Sequence, residues 1–179
     1  MKRSKNIRGF TLIELLVVIA IIGLLSSVVL GSLNSARGKA NDARRLSDMR
    51  TLQTSLDLYL LQNNSYPSLE SGVCGGPPGG WTTSGNDSNF VNPLVVGGFL
   101  GSPLKDPVPA LENDCGNYAY FRYPAGQNGC PVSRGAFYVI GVRSTYTSGL
   151  GTHPRSPGFS CVGRDWGGEF SWVTGRFQN

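Results

Sequence analysis

From Phe10 to Leu33 the chain reads FTLIELLVVIAIIGLLSSVVLGSL, 24 residues in which Glu14 is the only charge. As a helix rising 1.5 Å per residue this run is about 36 Å long, enough to cross the roughly 30 Å hydrocarbon core of a bilayer. Lys2, Arg3, Lys5 and Arg8 precede it. Basic residues on that flank predict an N-terminus on the cytoplasmic side, with everything after Leu33 on the other. A secretory signal has a shorter apolar core and a small-residue cleavage site behind it, which discards the apolar stretch. Here the run itself reads as the retained part.

Charge supports this division. The net charge of +5 falls to +1 once the four leader bases are removed. Residues 10–62 hold five basic and four acidic groups, and residues 63–179 hold seven of each. A nucleic-acid-binding face is not indicated, because that function needs a basic surface on the folded part. Charged residues are only 15% of the 179-residue chain, below the roughly 25% of a typical soluble domain. The length allows one compact domain plus an accessory segment.

The junction Gly9-Phe10-Thr11-Leu12-Ile13-Glu14 places a glycine directly after the basic leader and a carboxylate just inside the apolar run. This string resembles the processing site of type IV prepilins and type II secretion pseudopilins. The resemblance is close over residues 8–33, extends to about residue 67, and is loose beyond. It implies cleavage between Gly9 and Phe10 by a prepilin peptidase that then N-methylates Phe10. It also implies a single-pass N-in precursor in the cytoplasmic membrane, followed by an extracytoplasmic filament, either a surface pilus or a periplasmic pseudopilus. The partners it implies are other copies of the chain, related minor pilins, the peptidase and an inner-membrane assembly platform. A carboxylate in hydrocarbon costs a few kcal/mol unless paired. Glu14 is therefore expected to pair with the Phe10 amine of an adjacent subunit, setting register as a buried polar group can.

Beyond the span, Ala36, Ala40, Ala43, Leu46, Met49, Leu52, Leu56 and Tyr59 recur every three or four residues, which predicts an amphipathic continuation of the helix. Asn63-Asn64-Ser65-Tyr66-Pro67 closes it. A globular part must cover that stripe. Arg37, Lys39, Asp42, Arg44, Arg45, Asp48, Arg50 and Asp57 read as the solvated face. Many pilins carry a proline in the apolar half; this chain has Gly23, Ser26, Ser27 and Gly31 instead, which weaken a helix, glycine by up to about 1 kcal/mol.

Residues 68–101 are rich in glycine and proline and read as mostly loop. Two β-rich runs follow, residues 117–123 and 136–143, expected as adjacent antiparallel strands, with a third strand at 169–175. The fold class is α+β: a long N-terminal helix, transmembrane then amphipathic, packed on a small antiparallel sheet with a loop-rich, disulfide-tied C-terminal region. The segments are a leader (1–9), a membrane or filament-core helix (10–33), its amphipathic continuation (34–62) and an extracytoplasmic head (63–179). Cys74, Cys115, Cys130 and Cys161 show no CxxC spacing and read as two disulfides in an exported domain. Four cysteines permit three connectivities. A Cys115–Cys130 bond folds back across the first strand, whereas the alternatives considered tie Cys74 or Cys115 to the tail near Cys161, similar to the way pilins fasten their C-terminal region.

No GxSxG, HExxH, GxxxxGK or GxGxxG motif occurs, and no catalytic residue is assigned. His153 reads as a solvent-exposed loop residue. Asp106, Glu112 and Asp114, and again Asp165 and Glu169, raise the question of calcium, but two or three acids fall short of the six to eight oxygens that ion takes. No cofactor is expected. The glycine-rich loop and the disulfides favour a pilus subunit; a type II secretion pseudopilin and an anchored binding module that never polymerises are the alternatives.

Overall fold

The computed structural model describes residues 9–68, 82–83, 90–108, 117–149 and 151–179. Its first element is a single helix, α1, Leu12–Asn63. The helix runs through Gly23 and Gly31 without a break, and the serine hydroxyls turn inward on it, Ser27 donating to Leu24 O at 2.8 Å and Ser32 to Val29 O at 2.9 Å. It ends where Asn64 enters the left-handed region (φ 55°) and donates its N–H to Leu60 O at 2.8 Å, a common use of asparagine just past a helix end. The chain divides at Gly38–Lys39 into two compact units.

The unit from Lys39 onward is an α+β head. After α1 come β1 (Thr82–Thr83), a short α2 (Asn92–Val96), β2 (Tyr118–Tyr123), β3 (Phe137–Val142), β4 (Ser160–Cys161), β5 (Arg164–Asp165) and β6 (Trp172–Phe177). The order β1-β2-β3-β6 makes one antiparallel sheet, with Tyr120 opposite Ile140 and Ile140 opposite Thr174; β4 and β5 form a separate small hairpin. β2 and β3 fall within the expected runs 117–123 and 136–143, while β6 begins three residues later than the expected 169–175 and runs to Phe177. Within 68–101, the described residues contain β1 and α2 rather than loop alone, while Trp81 lies outside the described residues.

Side-chain alternation sends Tyr118, Tyr120, Tyr138, Ile140, Val142 and Trp172 to one face of the sheet, where they pack on Leu46, Met49, Leu52 and Leu56 of α1. The other face, carrying Ala119, Tyr123, Phe137, Val139, Val173 and Phe177, is covered by Trp166 and Phe170 from the C-terminal region. Every residue of β3 is therefore buried, which is why its sequence reads as a continuous apolar run. A Cβ on Gly141 would sit 2.5 Å from the Phe170 ring, so this strand position admits no side chain. Among the buried tyrosines, Tyr120 donates its hydroxyl to Pro67 O at 2.8 Å and Tyr118 to Asp48 at 2.8 Å, whereas the buried Tyr138 hydroxyl has no hydrogen-bond partner among the described residues. Burial, reinforced by Asp48, pushes the Tyr118 phenol well above its ordinary value.

The expected stripe on α1 needs correction. Leu46, Met49, Leu52 and Leu56 are buried as expected, but Ala36, Ala40 and Ala43 are exposed, and Asp42 and Arg45 are buried in their place. Each residue turns a helix by about 100°, so every three-residue step falls about 60° short of a full turn and a series of them winds around the axis. Ala43 lies about 180° from Leu52 by that measure. The true buried face follows Asp42, Arg45, Leu46, Met49, Leu52 and Leu56.

Candidate assembly site

The first turn of α1 is closed by its own residues. Thr11 stands at the N-cap; Glu14 Oε2 accepts from Thr11 N at 2.8 Å and from Thr11 Oγ1 at 2.7 Å, and Glu14 N donates to Thr11 Oγ1 at 3.3 Å. This is a capping box, in which cap hydroxyl and third-residue carboxylate satisfy each other's backbone donors. The Thr-x-x-Glu spacing ahead of an apolar run is a sequence signal for it. Glu14 thus has a partner within its own chain besides any it meets in assembly.

Gly9 and Phe10 are exposed, Phe10 at 77%, and a Cβ on Gly9 would touch nothing within 4 Å. The apolar side chains from Leu12 to Leu30 are likewise open, the least exposed large one being Val18 at 43%. A continuous apolar surface of this extent is far beyond the patches that soluble monomers leave in water, so it is a contact surface for lipid or for other helices. Gly23 and Gly31 leave bare backbone on it, which lets a second helix approach closely.

A second polar cluster holds the head to α1. Arg45 Nε and Nη2 reach Asp106 Oδ2 and Oδ1 at 2.7 and 2.9 Å, while Nη1 reaches Asp42 at 2.9 Å. Asp42 also accepts from Tyr146 N at 2.9 Å, Thr147 N at 2.8 Å and Thr147 Oγ1 at 2.6 Å. Asp106 further accepts from Val108 N and from Asn117 Nδ2, both at 2.7 Å, and Asn117 Nδ2 also reaches Ser144 O at 2.8 Å. Burial opposes ionisation of Asp42, yet the bonds from Thr147, Tyr146 and Arg45 outweigh it and hold its carboxyl below the ordinary value. Burial likewise opposes the charge on Arg45, and the two carboxylates more than offset it. The sequence places Asp42 and Arg45 on a solvated face; they pair with each other at i,i+3, but the partners that bury them come from 61 to 105 residues away, and nothing in local spacing announces those.

The remaining singled-out residues fall as follows. Cys161 is bonded to Cys130, with Cα atoms 5.0 Å apart, which settles a connectivity that the sequence left open and ties the tail to Cys130 rather than to Cys74 or Cys115. The tail is fastened, but to the β2–β3 connection. Cys130 could reach it because one-turn 3₁₀ helices at Gln127–Gly129 and Val132–Arg134 fold that connection against the β4–β5 hairpin, with Gly163 N donating to Asn128 O at 2.9 Å. Cys74, Cys115, Glu112 and Asp114 lie outside the described residues. Asp165 accepts from Gly167 N at 2.9 Å and Glu169 pairs with Arg164 at 2.7 Å. His153, expected in solvent, is 7% exposed: its N–H donates to Ser171 O at 2.7 Å and its Nδ1 accepts from Arg155 N at 3.1 Å. It serves to seat the strap that runs along the outer edge of β6.

An exposed apolar helix that opens on a capping box and supplies, in its later turns, one layer of a small α+β head defines the class of prepilin-type subunits. The family model described as the prokaryotic N-terminal methylation motif matches residues 4–30. The type II secretion system core protein G of Pectobacterium carotovorum is 34% identical over 131 residues, 62% of this chain and 84% of that protein. The protein of the same name from Klebsiella michiganensis is 32% identical over 136 residues, 65% of this chain and 96% of its own length. The type IV wide pilus major component PilA4 of Thermus thermophilus is 41% identical over 69 residues, 38% of this chain and 53% of that protein. No solved structure matches significantly. The chain belongs to the type IV pilin and type II secretion pseudopilin family.

Proposed function

We propose that this chain is a pseudopilin, the filament subunit of a type II secretion system, rather than the surface pilus subunit that the glycine-rich loop and the cysteines suggested. The observation that carries this reading is the reach of the similarity. Two of the matches to core protein G, those of Pectobacterium carotovorum and Klebsiella michiganensis, cover 84% and 96% of those relatives and so extend from the anchor through the head; other core protein G relatives match over 65 to 73 residues, and the pilus component over 69. The helical anchor is common to both kinds of filament; the head distinguishes them.

In this reading a prepilin peptidase cuts between Gly9 and Phe10 and methylates the new amine, and the exposed apolar half of α1 leaves lipid to pack among the same helices of neighbouring copies. Glu14 then exchanges part of its capping role for the Phe10 amine of an adjacent subunit, offsetting a carboxylate that hydrocarbon alone would not tolerate. Catalysis has no part in this role.

Deleting the gene in its host and following both the culture supernatant and a shear fraction tests the proposal. Loss of secreted proteins from the supernatant, with their retention in the periplasm, is the expected result. Unchanged secretion together with shearable filaments containing the chain would overturn it in favour of a surface pilus. Mass spectrometry giving a mature N-terminus at methylated Phe10 is expected in either filament, and an intact Met1 leader would instead favour an anchored module that does not polymerise.

A further inference from the structure

We infer that a cleft between the last turns of α1 and α2 is a binding site for a neutral oligosaccharide. The cleft has a volume of about 490 Å³, within the range of small-ligand sites, and none of its lining side chains is charged. Three carboxamides line it, those of Gln62, Asn63 and Asn92, together with the rings of Tyr59 and Phe99.

Asn63 spends one N–H on Tyr59 O at 3.0 Å, while the carboxamides of Gln62 and Asn92 bond to nothing among the described residues. Each carboxamide donates and accepts at once, which suits the adjacent hydroxyls of a sugar ring, groups that also do both. Tyr59 and Phe99 meet edge to face at 5.3 Å and present apolar ring surface, which suits the C–H face of the same sugar. A charged ligand would leave water here without gaining a counter-charge. A purely apolar ligand would strand the amides.

The wall is held under strain. Val91, buried at 3% exposure, caps α2 with φ 49° and ψ 33°, a left-handed conformation that a β-branched residue rarely adopts. Such strain persists only where surrounding contacts over-determine it, and it concentrates at ligand sites. Leu94 N donates to Val91 O at 2.9 Å, and the turn sets Asn92 and Pro93 against the cleft. At the other end of α2, a Cβ at Gly97 would lie 2.7 Å from the Phe99 ring, so this glycine lets the ring lie close to the backbone. Val91 belongs to the buried core and Phe99 packs against it, so the core itself holds this wall of the cleft in place. The inference does not depend on which filament the chain builds.

Saturation-transfer NMR on the full chain in lipid nanodiscs, with tri-N-acetylchitotriose and maltotriose as separate neutral probes, tests it; alkyl-glycoside detergents are avoided because they would compete. Transfer to ring protons of at least one probe is expected, with a Kd of about 1 mM or tighter. Gln62→Ala and Asn92→Ala should each weaken binding about three- to tenfold, the loss of one neutral hydrogen bond, while Gln127→Ala, in the β2–β3 connection folded against the β4–β5 hairpin, should not. No transfer to either probe at about 10 mM would overturn the inference, since so weak a site makes no specific complex. So would equal transfer in a Gln62→Ala/Asn92→Ala double variant whose circular dichroism matches the parent.

Discussion

Arg45 grips Asp106 through two parallel hydrogen bonds of 2.7 and 2.9 Å, and both side chains are over nine-tenths buried. The planar guanidinium matches the carboxylate as a fork matches a fork, and its third nitrogen reaches Asp42 in the preceding turn of α1. Removing one member of such a buried set leaves the others charged and unpaired, which costs about 3–5 kcal/mol. Arg45→Ala should therefore lower the stability of the head by that order in chemical denaturation of the full chain. Arg45→Lys keeps the charge but loses the fork, and should recover only part of it.

Asp42 makes the same cluster sensitive to acid. Its folded value lies below the ordinary 3.8, so the stability it contributes is fully present above pH 3.8 and is lost as pH falls through the lower, folded value. Thermal unfolding followed by near-ultraviolet circular dichroism should show a Tm that falls more steeply below about pH 4 than carboxylates with unshifted values would produce. Asp42→Asn should lower the Tm at neutral pH and flatten that acid limb. An acid limb of equal slope in the variant would mean that Asp42 is not the group responsible.

The anchor was legible because it depends on local sequence alone: length, apolarity and flanking charge define a helix whatever surrounds it. The three longer strands were legible too, since Tyr118–Tyr123 and Phe137–Val142 are dense in aromatic and β-branched residues. What escaped were features set by tertiary contact. Ala43 and Leu46 are one step apart in a three-or-four pattern, yet only the sheet decides which of them is covered. Asp42 and Arg45 look like surface charge until the loops carrying Asp106 and Thr147 arrive. His153 and the Cys130–Cys161 bond share that cause, because the C-terminal region has little regular structure and its path is fixed by the Trp166 and Phe170 side chains it lays on the sheet. The capping box at Thr11 and Glu14 is different: its spacing was in the sequence, but the charge of Glu14 drew the reading toward a neighbouring subunit.

The capping of Thr11 by Glu14 and the pairing proposed for it with a neighbouring subunit can be separated by mutation. Thr11→Ala removes the cap, which costs the helix about 1 kcal/mol and should speed amide exchange in its first turn. It leaves the carboxylate available to a neighbour. Glu14→Ala removes both the cap's second half and the partner for a neighbouring amine. Filament yield should therefore fall sharply in Glu14→Ala and only slightly in Thr11→Ala, with both precursors present in the membrane at normal levels. Equal losses in the two variants would reduce Glu14 to a capping residue.

The Cys130–Cys161 bond closes a loop across a sequence separation of 31 residues that contains β3, one of the two inner strands of the sheet. In the chain-entropy account, a loop of that length confers about 3–4 kcal/mol by restricting the unfolded chain. Its position adds a directional expectation. The hairpin of β4 and β5 has only two residues in each strand, too few to hold itself together, so it depends on the bond and on Trp166 to stay on the sheet. Cys130→Ser/Cys161→Ser should destabilise the head as a whole, and before global unfolding should loosen the C-terminal layer first. Hydrogen exchange is expected to rise earliest at residues 160–168, next at the 3₁₀ turns that carry Cys130, and last in β2 and β3. Uniform acceleration over all strands would show that the bond acts on the unfolded chain alone and not as a local clasp.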